Sequence, residues 1–227
     1  HVIASLKDLD GHILIPGFYD KVRPLSDEEK ALLARFPFDE ATWLHETGAP
    51  SAWGEPEFSL IERISARPTL DVTGMTGGYT ARGTKTVLPA HAHVKVSMRL
   101  VPDQDPAEIA AQFERHVRAM LPPSITARFH TAGASRATLL DRDSAAMRAA
   151  SAAYEATFGV PPVLMREGGS IPVVNQFQED LGLPTVLMGF GLPGDHIHSP
   201  NERLYLPNFY AGVETSIRYL GLLGQSR

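Results

Sequence analysis

The chain has 227 residues, 43% of them hydrophobic, and a net charge of −5 from 21 basic and 26 acidic side chains. That length suits one large domain or two small ones, and the absence of a basic run or acidic tail excludes nucleic acid and anionic membrane as obvious partners. With no cysteine there is no disulfide framework or thiolate metal site, which leaves histidine and carboxylates as candidate ligands.

No stretch approaches the ~20 apolar residues of a membrane span, and nothing at the start resembles a secretion signal, so a cytoplasmic protein with a small-molecule partner is expected. The first residue is His1, and Val2-Ile-Ala-Ser-Leu6 reads as the end of an amphipathic helix, which suggests an internal position or a tag remnant.

Residues 7–66 read as an irregular elaboration on a core. They hold Gly11-His-Ile-Leu-Ile-Pro-Gly-Phe-Tyr-Asp20, a short helix opened by Ser26 with Glu29 at the capping-box spacing, and an aromatic, Gly/Pro-rich stretch to Pro68. From Thr69 the pattern becomes strand, loop, strand, helix, strand. Leu70 and Val72 alternate with polar neighbours, and 75–84 is a Gly-rich connection. Residues 91–101 then place Ala92, Val94, Val96, Met98 and Leu100 on one face and His91, His93, Lys95, Ser97 and Arg99 on the other.

Asp105, Pro106 and Glu108 open a helix by N-cap, N1 proline and capping box. Ile109, Phe113, Val117 and Met120 share its apolar side until Pro122-Pro123 stops it. A strand over 125–130 completes most of a ferredoxin-like α+β sandwich, one strand and helix short at its N-terminal end.

After a polar break around Gly133-Ala-Ser-Arg136 the grammar changes to helix, strand, helix, strand, which predicts a parallel α/β sheet. Asp143/Ser144 caps an Ala-rich helix ending at Phe158-Gly159, and a short strand covers 163–165. A Gly-Gly-Ser turn then starts a helix with Pro172 near its first turn, and 184–190 is a continuous apolar strand. The loop 191–206 follows that strand's C-terminal end, where open α/β sheets bind ligands. Pro207 opens a final amphipathic helix carrying Phe209, Val213, Ile217 and Leu220.

Two segments carry the chemistry. Arg166-Glu-Gly-Gly-Ser170 puts a fork-shaped cation beside a turn whose N–H groups suit a carboxylate, though the same glycines also serve a plain strand–helix turn capped by Ser170. In Asp195-His-Ile-His198-Ser-Pro-Asn-Glu202, rigid Gly and Pro neighbours hold the His198 imidazole still. On the residues alone it is either a metal ligand or a loop histidine, and Ser199, Asn201 and Glu202 either support it or only shape turns. The Glu28-Glu29 pair is accounted for by its place at a helix start.

Taken in order, Gly83-Thr-Lys-Thr86-Val-Leu-Pro89, Met98-Arg99-Leu-Val-Pro-Asp-Gln-Asp-Pro106, Arg166-Glu-Gly-Gly-Ser-Ile-Pro172 and His198-Ser-Pro-Asn-Glu202 resemble the zinc-dependent dipeptidase family of carnosinase and the cytosolic non-specific dipeptidases. The 11–20 stretch is similar to the lid insertion of that branch rather than of the related acylases and desuccinylases.

The resemblance implies two parts. Residues 1–135 match a ferredoxin-like lid and dimerisation domain, with the insertion at 7–66, and residues 136–227 match the C-terminal portion of an α/β catalytic domain. It implies a homodimer through the lid, a small peptide substrate and two zinc ions. His198 takes the place of the last zinc ligand. Arg99 and Ser170, with Gly169, match the grip on the substrate carboxylate. Thr86 matches a lid residue that reaches the partner's active site, and Arg166, Glu167 and Asn201 match pocket residues.

The family's His-x-Asp motif, bridging Asp, Glu-Glu pair and lid histidine have no counterpart in residues 1–227. A zinc site takes about three or four protein ligands, so the chain alone is expected to be inactive and to bind zinc weakly. A non-catalytic lid module and an acylase-type amidohydrolase are the alternatives.

Overall fold

The computed structural model describes residues 1–167 and 171–225. The chain divides into two compact units, His1–Thr138 with Met165–Ser170, and Leu139–Leu164 with Ile171–Arg227.

The first unit opens with a single 3-10 turn, Ile3–Ser5, in place of the expected helix end. Three short helices follow: α1 (Asp27–Leu33), α2 (Glu40–Thr47) and α3 (Leu60–Ser65). Ser26 and Glu29 close the expected capping box on α1. The other two helices escaped the reading by periodicity because they are shorter than three turns. Their caps were nonetheless in the sequence, as Asp39 before α2 and a Ser59/Glu62 capping box on α3.

Strands β1 (Thr69–Gly77) and β2 (Ala92–Arg99) pair antiparallel, from Thr69 opposite Arg99 to Gly77 opposite Ala92, with a bulge between Val72 and Gly74. Helix α4 (Pro106–Met120) starts at Asp105, which accepts from the N–H groups of Ala107 and Glu108. The predicted return bond from Glu108 is replaced by an ion pair, because the Lys21 ammonium lies 2.5 Å from its carboxylate.

The core of this unit corrects the view of 7–66 as an elaboration. Leu6, Ile13, Ile15 and Phe18 are buried together with Leu70 of β1 and Ile109 of α4, and Val96, Met98, Leu100 and Phe113 pack around them. Ile13 and Ile15 point inward while Leu14 between them is exposed, so the segment alternates like a strand. Buried Gln104 ties it down, donating to the Phe18 carbonyl (2.8 Å) and accepting from the Val101 N–H (3.0 Å).

The second unit holds α5 (Ala145–Phe158), α6 (Pro172–Glu179) and α7 (Leu206–Gln225). Ser144 caps α5, and Gly159 closes it in the left-handed region that glycine tolerates best. The strands expected at 125–130, 163–165 and 184–190 are not formed among the described residues, whose sheet consists of β1 and β2. A strand exists by its ladder of hydrogen bonds, and these segments have no second strand alongside.

The apolar face expected on α7 is also reversed. Phe209, Val213, Ile217 and Leu220 are exposed, and the buried positions are Gly212 and Thr215. On α5 the buried residues are Ala146, Ala149, Ala150 and Ala153. Small side chains let the two helices approach closely, and that contact fixed which face turned inward.

Candidate functional site

In the second unit the segment before the ligand-like loop is held by its backbone. The Tyr154 hydroxyl donates to the Gly189 carbonyl (2.9 Å), and the Asn208 amide donates to the Phe190 carbonyl (3.1 Å). The Phe190 ring stacks on Tyr154 at 5.2 Å and on Phe158 at 6.4 Å. Burial raises the Tyr154 phenol above its ordinary value against the opposing pull of Gly189, so it remains a donor through the neutral range.

The loop itself is organised by Asp195, which is 2% exposed. Its carboxylate accepts from the Leu192 N–H at 2.7 Å, and its carbonyl accepts from the Arg203 N–H at 2.9 Å. Within this frame the His196 carbonyl takes both the N–H and the hydroxyl of Ser199, at 3.0 and 2.7 Å. Three residues occupy left-handed backbone: His196, His198 and Asn201. For non-glycine residues that conformation is uncommon and persists where the surroundings enforce it. The result presents the exposed His198 and Asn201 side chains from one constrained turn. An open hollow of about 630 Å³, lined by Leu192, Asp195, Arg203, Leu204, Tyr205 and Pro207, adjoins the loop, and neither His198 nor Asn201 lines it.

Thr86, Arg99, Arg166 and Glu167 belong to the first unit. Thr86 lies exposed in the connection after β1, Arg99 ends β2 with an exposed side chain, and Glu167 is exposed. Arg166 is already engaged: its Nε and Nη2 donate to one oxygen of Glu29 at 2.9 and 2.5 Å. Gly169 and Ser170 lie outside the described residues.

The helix-start explanation of Glu29 was therefore incomplete. Burial pushes its carboxyl upward, but the Ser26 N–H and the Arg166 guanidinium outweigh that and hold it below the ordinary carboxylate value. Asp195 was also passed over in the sequence; its signal was a carboxylate three residues after Leu192 across a Pro-Gly turn.

A second polar assembly lies within the first unit. Burial raises the Glu55 carboxyl, yet Arg67, at 2.6 and 2.8 Å, and the Tyr19 hydroxyl keep it below its ordinary value. The Arg67 guanidinium also lies over the Tyr19 and Phe58 rings, at 5.0 and 4.2 Å. Asp8, Asp10 and His12 lie close enough to chelate a cation, but the imidazole is already bonded to Asp8 at 2.9 Å and Glu57 at 3.0 Å.

Zinc does not fit the described residues by themselves. The loop offers His198 with His196 beside it, and no group of three or more histidine and carboxylate ligands among the described residues includes either.

Residues 1–124 match the family described as "Peptidase dimerisation domain" (M20_dimer). The Cys-Gly metallodipeptidase DUG1 of Saccharomyces cerevisiae is 33% identical over 233 residues, covering 99% of this chain and 47% of that protein. The Beta-Ala-His dipeptidase of Rattus norvegicus is 29% identical, covering 93% of this chain and 44% of its own length. Among solved structures, the M20 family metallo-carboxypeptidase Sso-CP2 of Sulfolobus solfataricus superposes with a TM-score of 0.85 at 26% identity, over 97% of this chain and 50% of that one. The chain thus spans about half the length of the curated relatives it matches. The likeness carries the mixed helix-and-sheet class expected from sequence, and no helix among the described residues is long and apolar enough to cross a membrane.

Proposed function

Because the chain belongs to the M20 peptidase family through its dimerisation domain, we propose that it serves a binuclear-zinc dipeptidase acting on dipeptides or similar small amides. The observation that carries this reading is the 33% identity with a Cys-Gly metallodipeptidase in an alignment that covers 99% of the chain.

In this reading residues 1–135 are the lid and dimerisation domain, and 136–227 are the C-terminal part of the catalytic domain. The outward apolar face of α7 and the unpaired apolar segment 184–190 support the second assignment, since both are built to be covered. Zinc would polarise the scissile carbonyl and activate a water, with a general base from outside these residues. His198 is the metal-ligating residue this chain offers, fixed by the Asp195 frame. Arg99 and Ser170, with Gly169, take the substrate carboxylate; Thr86, Glu167 and Asn201 line the pocket, Thr86 from the partner subunit.

Residues 1–227 assayed alone are expected to show no dipeptide turnover and to lose zinc on dialysis. In a preparation of the relatives' full length, His198→Ala should abolish most activity. Arg99→Ala and Ser170→Ala should lower kcat/KM for substrates with a free carboxylate by roughly 10- to 150-fold, the worth of a charge-assisted hydrogen bond. Equal losses on a carboxylate-amidated substrate would refute the clamp, and turnover by residues 1–227 alone would refute the assignment of the missing ligands. Light scattering tests the dimer: a persistent monomer would remove the partner role of Thr86.

A further inference from the structure

Glu29 uses its two carboxylate oxygens for two purposes. One accepts from the Ser26 N–H at 2.9 Å and closes the cap of α1; the other takes both donors of Arg166, 137 residues away in sequence. The Arg166 side chain is only 12% exposed and the Glu29 side chain 25%. An anionic substrate that drew Arg166 away would leave Glu29 partly buried without its cation, and removing one partner from such a pair is costly.

We propose that Glu29 is a positioning residue: through Arg166 it latches the segment leading into Gly168-Gly169-Ser170 onto α1, so that Arg166 fixes that segment and does not itself bind the substrate. For its effect on catalysis the inference rests on the carboxylate-binding role proposed above; the latch itself rests on geometry alone. It makes the insertion 7–66, with no candidate site residue of its own, a determinant of where the approach to that turn is held. In this proposal Arg166 supports the pocket from behind and does not line it.

The test separates the cap from the latch. Glu29→Gln keeps an amide oxygen able to accept from the Ser26 N–H, as glutamine does in capping boxes, but removes the charge that holds Arg166. The chain has no cysteine, so one introduced at exposed Met165 can carry a single nitroxide label, with a control label at exposed Lys30 on α1. Glu29→Gln should shorten the rotational correlation time at position 165 about twofold or more and leave position 30 unchanged. Ser26→Ala should do the reverse. Arg166→Gln approaches the same pair from the other side and should reproduce the effect at 165, and combining it with Glu29→Gln should add nothing further.

In an active full-length preparation, Glu29→Gln should raise KM about tenfold for free-carboxylate dipeptides with little change in kcat. An immobile label at 165 in both single variants, or additive effects in the double variant, overturns the latch. A mobile label with unchanged KM supports the latch and removes the carboxylate-binding role of the turn.

Discussion

The two units are stabilised by different means. The first buries large side chains: Phe18 at 1% exposure and Leu70 at 2%, with Leu6, Ile13, Ile15 and Ile109 around them. The second buries Ala146, Ala149, Ala150, Ala153, Gly212 and Thr215, and leaves Leu187, Phe209, Val213, Ile217 and Leu220 exposed. Burial of a large side chain stabilises by area removed from water, whereas a contact between small residues gains from close approach and from the hydrogen bonds it permits. The first unit therefore has a core of large side chains, although Met75, Val87 and Leu88 stay exposed outside it. The second buries Val174 as its one large apolar side chain among the described residues and is held by polar pins to carbonyls at 189 and 190 and by the Asp195 frame.

The largest expected effect comes from Phe18→Ala, which should cost about 3–5 kcal/mol. Both tryptophans, Trp43 and Trp53, lie in the first unit, so their fluorescence reports its unfolding alone. The fluorescence midpoint in denaturant should fall while helical circular dichroism from α5 and α7 persists. If both signals shift together, the units do not fold independently and the contrast fails.

Asp195→Ala is next. It deletes the carboxylate acceptor of the part-buried Leu192 N–H, and a hydrogen bond to a carboxylate is worth about 1.5–3 kcal/mol. Amide exchange at Leu192 and Arg203 should rise without change in tryptophan fluorescence. A shift of the first unit's transition instead would show that the loop is not a local structure.

Gly212→Ala is smaller and its sign is informative. A Cβ at 212 would meet the Phe190 ring at 3.1 Å, and that ring is stacked on Tyr154 and Phe158 with its backbone bonded to Asn208. Crowding costs about 1–3 kcal/mol and the helix propensity of alanine returns about 1. A net loss of about 1 kcal/mol is expected in the helical transition. A gain would mean that Phe190 moves freely and that close approach is not what holds the second unit together.

Legibility in the sequence followed the same division. Caps were readable wherever they were local: Ser26 with Glu29, Asp105 with Pro106, and Ser144 through Gly159 lie within one helix and need no partner. The alternation of 91–101 was readable in its second half, where Val96, Met98 and Leu100 meet the core, but Ala92 and Val94 on the same face are exposed. The strands at 125–130, 163–165 and 184–190 were misread because apolar runs reveal that a segment wants covering but not whether a partner strand is present. The inward face of α7 was misread because the largest side chains were taken to mark the core, when alanines on α5 selected the small face. Motifs pointed to His198 and Asn201, but the ionic partner of Arg166 was invisible because pairing over 137 positions has no local signature.

The smallest effect concerns pH and belongs to the first unit. His12 is held by two carboxylates on different segments, Glu57 and Asp8, while Trp53 Nε1 donates to the Leu9 carbonyl across the same junction. Hydrogen bonds from Glu57 and then Asp8, with the charge of both, raise the imidazole above its ordinary value against slight desolvation. Glu57 is in turn held below its ordinary value by its own backbone N–H and by His12, with burial and Glu55 opposing, so the clamp is strongest when His12 is protonated and both carboxylates are ionised. A raised folded-state value means that the folded chain binds the proton more tightly than the unfolded one. The stabilisation is then complete below the unfolded value of about 6.5 and is lost as pH rises through the folded value above it. The tryptophan-detected midpoint should accordingly decline from about pH 6.5 upward, and His12→Gln should flatten that decline while leaving the helical transition of the second unit where it was. A variant that keeps the full slope would place the pH dependence elsewhere and free the 8–12 turn from any part in holding 53–57.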